Sequence, residues 1–414
     1  MSKTDSTNRN AQETNGEGAV ELHQSNWKEF QFADLFEVSS GDRAPHKDDS
    51  GVGYPVYGSN GPIGWTENFN YADGYLVGRV GAAGAVNRVY GRVWASDNTL
   101  TVDSRDEKLN FKFAWHLLNQ LDIKSLATEN AQPLITQTNL KAMTATVPPL
   151  PQQRRIADIL DTVDRAIRKT EEVIDKLEQM KRGLLHDLLT RGIDANGELR
   201  DPDAHPEQFK DSELGRIPKE WEVAQLRRCV GLKVGFAFKS DWYTETQGIR
   251  LLRGANVGTG TPDWSDERRL PFEVAQEFPG YRLSEGDIVI GMDRPFVGNG
   301  FKVSVLSEHD VPALLVQRVG CFECHSMSRR YASYVIKSSM YKRQLKKLQA
   351  GMDIPHISKA QILTCKVPVP PDEEQRRIEQ KIDGLNDILA KERRMHRNLK
   401  KCKGGISSDL ISGV

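Results

Sequence analysis

Apolar residues recur with heptad spacing in one stretch of about forty residues. Steps of four and three residues alternate along seven positions: Ile156, Leu160, Val163, Ile167, Thr170, Ile174 and Leu177. Such a seam is typical of a helix that pairs with another helix, and not of an ordinary globular helix face. The spacing predicts a single helix from Gln152 to Thr190, roughly 55–60 Å long at about 1.5 Å per residue.

The residues around this stretch predict where the helix starts and stops. Pro148, Pro149 and Pro151 precede it. They indicate a stiff segment that cannot lie inside the helix. Gly192 follows the last apolar pair, as a stop signal should.

The same helical pattern occurs a second time. Residues 153–156 (QRRI) match residues 375–378 (QRRI), and this offset of 222 residues holds without a gap for about forty residues. The second helix is predicted from Glu373 to about Ile411. Its apolar series comprises Ile378, Ile382, Leu385, Leu389 and Leu399. Two positions of core type are polar, Glu392 and His396, so the second seam is poorer and is expected to splay there or to meet a partner.

The flanks of the helices repeat more weakly. Val147-Pro148 matches Val367-Pro368 after a slip of two residues, and the segment at Asn26 resembles the segment at Glu220. One apolar stripe cannot stabilise so long a helix alone, so the two copies are expected to pair as an antiparallel coiled coil. We interpret this pair as a ruler that holds two similar modules apart in opposite orientations. The simpler alternative is a helical hairpin that only joins two domains.

The blocks between the helices favour a mixed α/β structure. Residues 54–65 (YPVYGSNGPIGW) are dense in turn formers, and residues 74–102 alternate short β-rich runs with glycine turns. Residues 285–294 (EGDIVIGMDR) predict a buried strand, and residues 112–121 (KFAWHLLNQL) a helix. The fold class is therefore α+β, with two mixed α/β domains that are each followed by a long helix. The predicted boundaries are a loose tail at 1–24, a first domain at 25–147, a central helix at 148–192, a linker at 193–218, a second domain at 219–367 and a C-terminal helix at 368–414.

One stretch of the second block carries an unusual charge. From Cys324 through Met352 there is no acidic residue, while seven positions are basic: Arg329, Arg330, Lys337, Lys342, Arg343, Lys346 and Lys347. Three tyrosines are interleaved with these cations. Uncompensated cations on one helix repel each other unless an anion lies near, so the run is expected to face a nucleic-acid backbone. The alternative is a solvated helix face.

Composition narrows the classes of function. Lys plus Arg and Asp plus Glu are each 57, so only a local basic patch can attract nucleic acid. No apolar run approaches the length of a membrane span, and the polar N-terminus does not resemble a signal peptide. The five cysteines do not indicate a disulfide framework, and a reducing cytoplasm is expected.

Patterns typical of catalysis are weak in this chain. There is no Walker loop and no amine-gripping Pro-Pro-Tyr motif. Asp-x-Lys triplets at Asp106 and Asp122 resemble nuclease motifs but lack an upstream Pro-Asp, so a self-contained nuclease remains an alternative. Residues 321–325 (CFECH) resemble a haem attachment site or half of a zinc site, and no second CxxC lies nearby. No metal site and no catalytic site is therefore predicted, and recognition is favoured over catalysis.

These features together resemble the DNA specificity subunit of Type I restriction–modification systems. The two helices, residues 147–164 (VPPLPQQRRIADILDTVD) and residues 188–223 carry the resemblance most specifically. Residues 54–64, residues 77–84 with 94–100, and in the second block residues 235–240, 283–292 and 354–362 resemble target-recognition motifs.

The resemblance implies a function and a set of partners. Each block would read one half of a split duplex DNA target, and the helices would set the spacer and dock two methyltransferase subunits. Those subunits would carry S-adenosylmethionine and methylate adenine, and restriction subunits using ATP and magnesium would join for cleavage. This chain would hold no cofactor and no active site, and would act in a bacterial or archaeal cytoplasm.

The DNA-contacting residues are predicted from the side chains that suit base and phosphate contacts. In the first block they are Ser59, Asn60, Arg79, Arg88 and Arg92. In the second block they are Lys239, Arg253, Arg294, Arg330, Lys342, Arg343 and Lys346. Each of these could instead be an ordinary surface cation, and a coiled-coil adaptor without a DNA role remains a further alternative.

Overall fold

The computed structural model of the chain describes residues 26–43, 45–105, 107–128, 133–298, 300–349 and 356–412. The predicted tail at 1–24 lies outside these residues. The chain divides into a first unit, Met1–Glu171 with Arg394–Val414, and a second unit, Glu172–Arg393. Both long helices contribute residues to both units. No helix within the described residues is both long enough and apolar enough to cross a membrane.

The first unit contains a mixed α/β domain. Its helices are α1 (Phe32–Leu35), α2 (Phe111–Gln120), α3 (Gln137–Ala142) and the first part of α4 (Leu150–Thr190). Its strands are β1 (Lys28–Gln31), β2 (Phe36–Ser40), β3 (Tyr54–Gly58), β4 (Gly61–Thr66), β5 (Tyr71–Gly78), β6 (Val86–Ala95), β7 (Thr99–Ser104) and β8 (Thr144–Val147).

The first domain is built on one twisted sheet. Its strands follow the order β2-β7-β5-β6-β3-β4, and β1 and β8 form a separate antiparallel pair. The turn-rich segment after Tyr54 forms the β3–β4 hairpin, as its sequence predicts. Strand β5 lies in the middle of the sheet, and Tyr75, Leu76 and Val77 are fully buried. Helix α2 packs into the same core through Phe113 and Leu117.

The second unit contains a larger mixed α/β domain. Its helices are α5 (Phe272–Ala275), α6 (Arg329–Lys337), α7 (Ser339–Gln349), α8 (Lys359–Thr364) and most of α9 (Asp372–Ser407). Its strands are β9 (Phe209–Ser212), β10 (Gly215–Pro218), β11 (Glu222–Gln225), β12 (Val230–Val234), β13 (Ile249–Leu252), β14 (Thr259–Gly260), β15 (Arg269–Leu270), β16 (Arg282–Leu283), β17 (Ile288–Gly291), β18 (Phe296–Val297), β19 (Gly300–Phe301), β20 (Val303–Val305), β21 (Ala313–Leu315), β22 (Val319–Cys324) and β23 (Lys366–Val369). Two sheets, β12-β22-β17-β20-β14 and β15-β13-β21-β16, form its body.

The strand pair that precedes each long helix is built alike in the two domains. Strand β1 pairs with β8 so that Lys28 faces Val147, and β11 pairs with β23 so that Glu222 faces Val369. The weak resemblance between the segments at Asn26 and Glu220 is therefore a structural repeat. The slip of two residues in the Val-Pro match is wrong, because Val369 and not Val367 corresponds to Val147. The 222-residue offset thus extends through the last strand of each domain.

The long helices differ slightly from their predicted bounds. Helix α4 begins at Leu150, so Pro151 lies inside its first turn. Proline is tolerated there because the N–H groups of a first turn have no partner within the helix. The helix ends at Thr190, and Gly192 adopts a φ of 66°, which confirms the stop signal. Helix α9 ends at Ser407 and continues as a π-helical turn, Ser408–Ser412.

The two long helices contact each other within each unit, and in the first unit their directions are opposite. In the first unit Asp164 pairs with Lys403 at 2.6 Å, and Glu171 pairs with His396 at 2.8 Å. In the second unit Glu178 pairs with Arg393 at 2.6 Å. The polar residue at seam position 396 thus meets a carboxylate of the other long helix.

The predicted seam positions do not all serve one contact. Ile156 and Leu160 are buried in the core of the first domain, and Ile378 and Ile382 in the core of the second. Ile167, Thr170 and Leu389 are buried. The remaining predicted positions are half-buried, namely Val163, Ile174, Leu177, Leu385 and Leu399. The start of each stripe therefore packs on its own domain. The continuous coiled-coil seam stays a prediction.

Candidate nucleic-acid and subunit interfaces

A buried glutamine joins the first domain to the start of α4. Gln153 is 1% exposed, and its Nε2 group donates to the backbone oxygens of Pro148 (2.8 Å) and Lys108 (2.9 Å). Its Oε1 accepts from the backbone N–H of Asn110 at 2.7 Å. Asn110 in turn caps α2 by accepting from the N–H of Phe113. One side chain thus orients both the domain helix and the long helix.

The second domain repeats this joint with different residues. Gln375 is 2% exposed and donates from Nε2 to the backbone oxygen of Pro370 at 3.0 Å. Its Oε1 accepts from the N–H of Ser328 at 3.4 Å. Ser328 caps α6 by accepting from the N–H of Tyr331. The repeated QRRI sequence therefore marks the junction between domain and long helix in each half of the chain.

About two turns further along, each domain helix makes a second polar contact with its long helix. In the first unit His116 Nε2 lies 2.9 Å from Asp161 Oδ1. In the second, the Tyr334 hydroxyl donates to Asp383 Oδ1 at 2.8 Å. Burial lowers the pKa of His116, although Asp161 opposes that shift. The first junction therefore contains a histidine with a lowered pKa, and the second holds a phenol with a raised pKa.

The predicted residues of the first domain fall in two places. Ser59 lies at the β3–β4 turn and donates from its hydroxyl to the backbone oxygens of Val80 and Asn98. This bond holds the turn beside Arg79, whose Nε meets no acceptor among the described residues. Asn60, at the tip of the turn, is exposed. The structure thus brings the first three predicted residues together.

The other two arginines of the first domain lie on β6. The Arg88 guanidinium stacks over the rings of Tyr90 and Phe111, at 4.9 and 4.7 Å. The guanidinium of Arg92 is exposed on the same strand and lies 4.5 Å from the ring of Phe69. No carboxylate pairs with either arginine within the part of the chain that the structure describes. Both cations are therefore oriented by aromatic rings, while their charge stays available.

The predicted DNA-contacting residues of the second domain differ in their exposure and in their partners. Lys239 is exposed over the ring of Trp242, and Arg294 is exposed with a positive φ of 45°. Arg253 instead binds the carboxylate of Asp266 at 2.8 Å and the side chain of Asn256. This ion pair holds a loop together. The Arg253 guanidinium is therefore already bound within the domain, which favours a structural role over the predicted DNA contact.

The basic stretch differs from its prediction in two respects. It forms two helices, α6 and α7, because Ser338 ends the first with its extended backbone. Two of its cations are also compensated by carboxylates distant in the sequence: Arg329 by Asp287 and Arg330 by Asp383. The interleaved tyrosines are buried in the domain core. The expectation of seven uncompensated cations on one helix is therefore wrong.

The remaining predicted cations of this stretch lie on α7. Arg343 and Lys346 are exposed, Lys342 is half-buried, and the Lys346 ammonium lies 5.5 Å from the ring of Phe296. Neither Arg343 nor Lys346 forms an ion pair with an acidic side chain among the described residues. Together with Lys342 and Lys347, they form the basic face of α7.

Two cavities beside α4 add basic side chains of that helix that the sequence pattern did not single out. A cavity of about 340 Å³ in the second unit is lined by Arg182, His186, Lys337 and Lys342, and none of its described lining residues is acidic. In the first unit a cavity of about 630 Å³ places Arg165 and Arg168 of α4 near Arg88. The spacing of Arg165 and Arg168 on the polar face of α4 was the available signal.

The alternative chemical motifs have structural roles or lie outside the described residues. Cys321 is buried in β22, and burial raises its thiol pKa to about 12. Asp122 caps a short 3₁₀ turn, and Asp106 lies outside the described residues. Within the described ranges, no three His, Cys, Asp or Glu side chains converge as metal ligands.

Sequence comparisons connect this architecture with one family. Residues 24–179 and 218–398 match the family model described as Type I restriction modification DNA specificity domain. The Type I restriction enzyme MjaVIII specificity subunit of Methanocaldococcus jannaschii is 30% identical over 298 residues, which cover 72% of this chain and 68% of that relative. The Type I restriction enzyme EcoAI specificity subunit of Escherichia coli is 36% identical over 173 residues, 41% of this chain and 29% of that relative.

Solved structures show the same fold. The S subunit of the Type I restriction–modification system from M. genitalium aligns with a TM-score of 0.59 at 17% identity, over 95% of this chain and 98% of that one. A chain from a study of complex assembly and conformational transition of the type I R-M system aligns with a TM-score of 0.54 at 16% identity, over 93% of this chain and 97% of that one.

Proposed function

This chain belongs to the Type I restriction modification DNA specificity family, and on that premise we propose that it is the DNA-reading subunit of a Type I restriction–modification complex. The repeated junction supports the proposal best. Two different domains are attached to two similar helices through equivalent buried glutamines, Gln153 and Gln375. This is the arrangement needed to present two different half-site readers on one repeated scaffold.

In this proposal each domain reads one half of a split duplex target. The first domain offers Asn60, Arg79, Arg88 and Arg92 at the β3–β4 turn and on β6. Arginine suits guanine, and asparagine suits adenine. The second domain offers Lys239 and Arg294 for bases and the basic face of α7 for phosphates. Because the two domains differ in their residues, the two half-sites are expected to differ in sequence.

The helices supply a docking surface for the methyltransferase subunits. Exposed apolar side chains recur on both helices at heptad spacing: Val173 and Met180 on α4, and Ile388 and Met395 on α9. Val173 and Met395 are equivalent under the 222-residue offset. Exposed apolar groups on a polar helix favour contact with another protein. Two similar stripes on one chain suit two copies of the same partner.

In this proposal the partner subunits catalyse both methylation and cleavage. The methyltransferase subunits bind S-adenosylmethionine and methylate adenine on each strand, and the restriction subunits use ATP and magnesium to cut. This chain contributes base recognition and the spacing between the half-sites, and holds no cofactor. The absence of a Walker loop from its sequence is consistent with this division of labour.

Methylome sequencing tests the function directly. A host carrying this chain with its methyltransferase is expected to show methyladenine in one bipartite motif, and a host with the methyltransferase alone is the control. Replacing the first domain by that of a relative should change one half-site and leave the other unchanged. Metal-dependent cutting of DNA by the purified chain alone would contradict the proposal and favour a nuclease.

A change in helix length tests the ruler. Inserting one turn into both α4 and α9 adds about 5.4 Å to each helix. A base pair advances about 3.4 Å, so the tolerated spacer should lengthen by one or two base pairs. Substitutions of exposed α4 residues that keep the length are the control. An unchanged spacer in a folded, active variant would show that the helices do not measure the distance.

A further inference from the structure

One end of the sheet that contains β17 and β22 carries two arginines in an unusual backbone conformation. Arg294 has a φ of 45° and Arg318 a φ of 63°. This left-handed region is unfavourable for residues that carry a β-carbon, and such residues cluster at functional sites. Glycine would adopt the same conformation without strain. Arginine at both positions indicates that the side chains, and not only the turns, are needed here.

The strand register brings these two arginines to the same edge of the sheet. Strand β17 pairs with β22 so that Gly291 faces Val319. The pairing continues beyond both strands, because the Met292 N–H donates to the backbone oxygen of Arg318 at 2.9 Å. Arg294 follows β17 and Arg318 precedes β22. In an antiparallel pair, the end of one strand lies beside the start of its neighbour.

A shared carboxylate orients the Arg318 guanidinium. Asp293 Oδ2 accepts a hydrogen bond from Arg318 Nη1 at 2.7 Å, and Asp293 Oδ1 lies 2.7 Å from His356 Nδ1. The backbones of Asp293 and His356 also form an antiparallel bridge. Although burial opposes the shift, the hydrogen bonds with His356 and Arg318 lower the pKa of Asp293, so it is a charged acceptor at neutral pH. His356 thus fixes the carboxylate, and the carboxylate fixes the guanidinium.

The contribution of this ion pair to stability does not explain the strained backbone. The Arg318 side chain is 67% exposed and that of Asp293 is 33% exposed. Solvent screens such a pair, and exposed pairs add little to the free energy of folding. The bond to Asp293 uses Nη1, whereas Nε and Nη2 form another edge of the guanidinium and are also donors. The arrangement is that of a donor pair oriented in advance.

The surroundings of this edge are basic and continue to α7. Burial and the nearby charge of Arg294 lower the pKa of Lys302. The ring of Phe296, on β18, lies 5.5 Å from the Lys346 ammonium on the basic face of α7. Cations gathered in this way attract the phosphate backbone of duplex DNA. The Arg318 guanidinium therefore belongs to a surface that is suited to phosphates.

We propose that Arg318 reads a guanine in the half-site of the second domain, and that Asp293 is its positioning residue. Arginine binds the O6 and N7 atoms of guanine bidentately in the major groove, which requires a defined guanidinium plane. The bond to Asp293 fixes that plane before DNA binds, so less side-chain freedom is lost on binding. The inference rests on the proposed DNA function and adds a specificity-determining residue that the sequence pattern did not single out.

Replacing Arg318 by glycine tests the proposal without straining the fold. Arg318→Gly removes the guanidinium and suits the left-handed backbone, so the thermal unfolding midpoint should change little. The measurement is the rate at which the chain with its methyltransferase methylates duplexes in which each base pair of the motif is changed in turn. At one guanine of the half-site that persists when the first domain is exchanged, the preference over other bases should fall roughly tenfold to a hundredfold. Preferences at the other base pairs should stay unchanged.

Conservative variants separate base reading from a structural role. Asp293→Asn should weaken the preference at the same guanine by a smaller factor, and should have no further effect in an Arg318→Gly chain. Arg318→Lys keeps a charge but cannot bind a base bidentately, so it should lose the same preference. That loss gives a second reading, which does not depend on the glycine variant. Arg268→Ala is the matched control, because it removes another arginine of this domain that pairs with an aspartate.

The outcomes distinguish this inference from the proposed function. If the complex of the unmodified chain methylates no bipartite motif, both are overturned. If the motif is the same for the unmodified chain and for the Arg318→Gly and Arg318→Lys variants, only the role of Arg318 is overturned. Slower methylation of every duplex with all preferences kept also overturns that role, because a phosphate contact or a structural contact acts on all sequences alike.

Discussion

The two halves of the chain attach a domain to a long helix with the same backbone geometry but with different chemistry. In the second half the helix start is held by an ionic cluster, in which Glu374 binds Arg200 and Trp221. In the first half the equivalent residue is the neutral Gln152. About two turns later, a histidine in the first junction takes the place of a tyrosine in the second. The two halves therefore share the buried glutamines Gln153 and Gln375, whereas the side chains around these glutamines differ.

The comparison teaches which interactions the fold requires. A polar residue in a buried junction can be exchanged only together with its partner, because an unpaired buried group is costly. Gln153 and Gln375 bind backbone groups, which do not change with sequence, and both are glutamine. Glu374 binds the side chains of Arg200 and Trp221 besides one backbone N–H, and a glutamine takes its place in the first half. Variants that make one half resemble the other test this distinction.

The largest effect is expected from Glu374→Gln, which gives the second junction the residue of the first. Arg200, which is largely buried, would lose its buried carboxylate and keep only the exposed Glu220 at 3.8 Å. Removing one partner of a buried ion pair costs about 3–5 kcal/mol. Urea unfolding of the purified chain, followed by the fluorescence of its tryptophans, measures this loss. Glu373→Gln is the control, since this neighbour is exposed, and a similar loss in both variants would argue against the ionic cluster.

The next effect is expected from the two shared glutamines. Gln153→Ala leaves two carbonyl groups and the Asn110 N–H without their partner and should cost roughly 2–3 kcal/mol. Gln375→Ala should cost less, roughly 1–2 kcal/mol, because its bond to the Ser328 N–H is long at 3.4 Å. The free energies of unfolding decide the order. The exposed Gln380→Ala should be nearly neutral, and equal losses for Gln153 and Gln375 would contradict the ranking.

A smaller effect is expected from pH. Burial holds the pKa of His116 below its ordinary value of 6.5. Below about pH 6.5 the unfolded chain therefore binds a proton that the folded chain does not, and stability falls as the pH falls, by up to about 1.4 kcal/mol per pH unit. His116→Tyr copies the second junction and should flatten this slope below about pH 6.5.

Unfolding midpoints at several pH values measure the slope. Tyr334→Phe in the second junction is the control, because a phenol does not titrate in this range, and it should leave the slope unchanged. A His116→Tyr protein with the original pH dependence would show that other groups cause it.

The last prediction concerns DNA binding and not stability. It tests the positive charges of the second domain. Replacing Lys342, Arg343, Lys346 and Lys347 with glutamine should weaken binding of duplex DNA. It should also reduce the slope of log affinity against log salt by about 0.9 for each phosphate that the variant no longer neutralises. Arg329→Gln is the control, because Asp287 already pairs with that cation. An unchanged salt slope would mean that the basic face of α7 points to another partner.

The repeat was predictable because its signals are local. Heptad spacing, the QRRI match and Gly192 locate both long helices to within a few residues. The error at Val367 arose because the match relied on the letters Val-Pro, which occur twice within 367–370. Only the strand register, with Glu222 opposite Val369, shows which pair is equivalent.

The DNA candidates were harder to predict, for a related reason. Residue type indicates which side chains can contact DNA, but not which are already engaged. Arg253 is bound by Asp266, and Arg330 by Asp383 of α9, which lies 53 residues further along the chain. Such pairs form between segments whose proximity no local pattern reveals. Arg165 and Arg168 were missed because only the cavity near Arg88 gives them a context.

The sequence by itself determined the plan of this protein: two blocks, two long helices and the family to which they belong. Periodicity and internal repetition are properties of neighbouring residues, so they can be counted along the chain. Tertiary structure alone decided that the first turns of each stripe pack on a domain and that Arg329 and Arg330 are paired with distant carboxylates. Burial and pairing depend on residues brought together from far apart, and a linear pattern does not contain those distances.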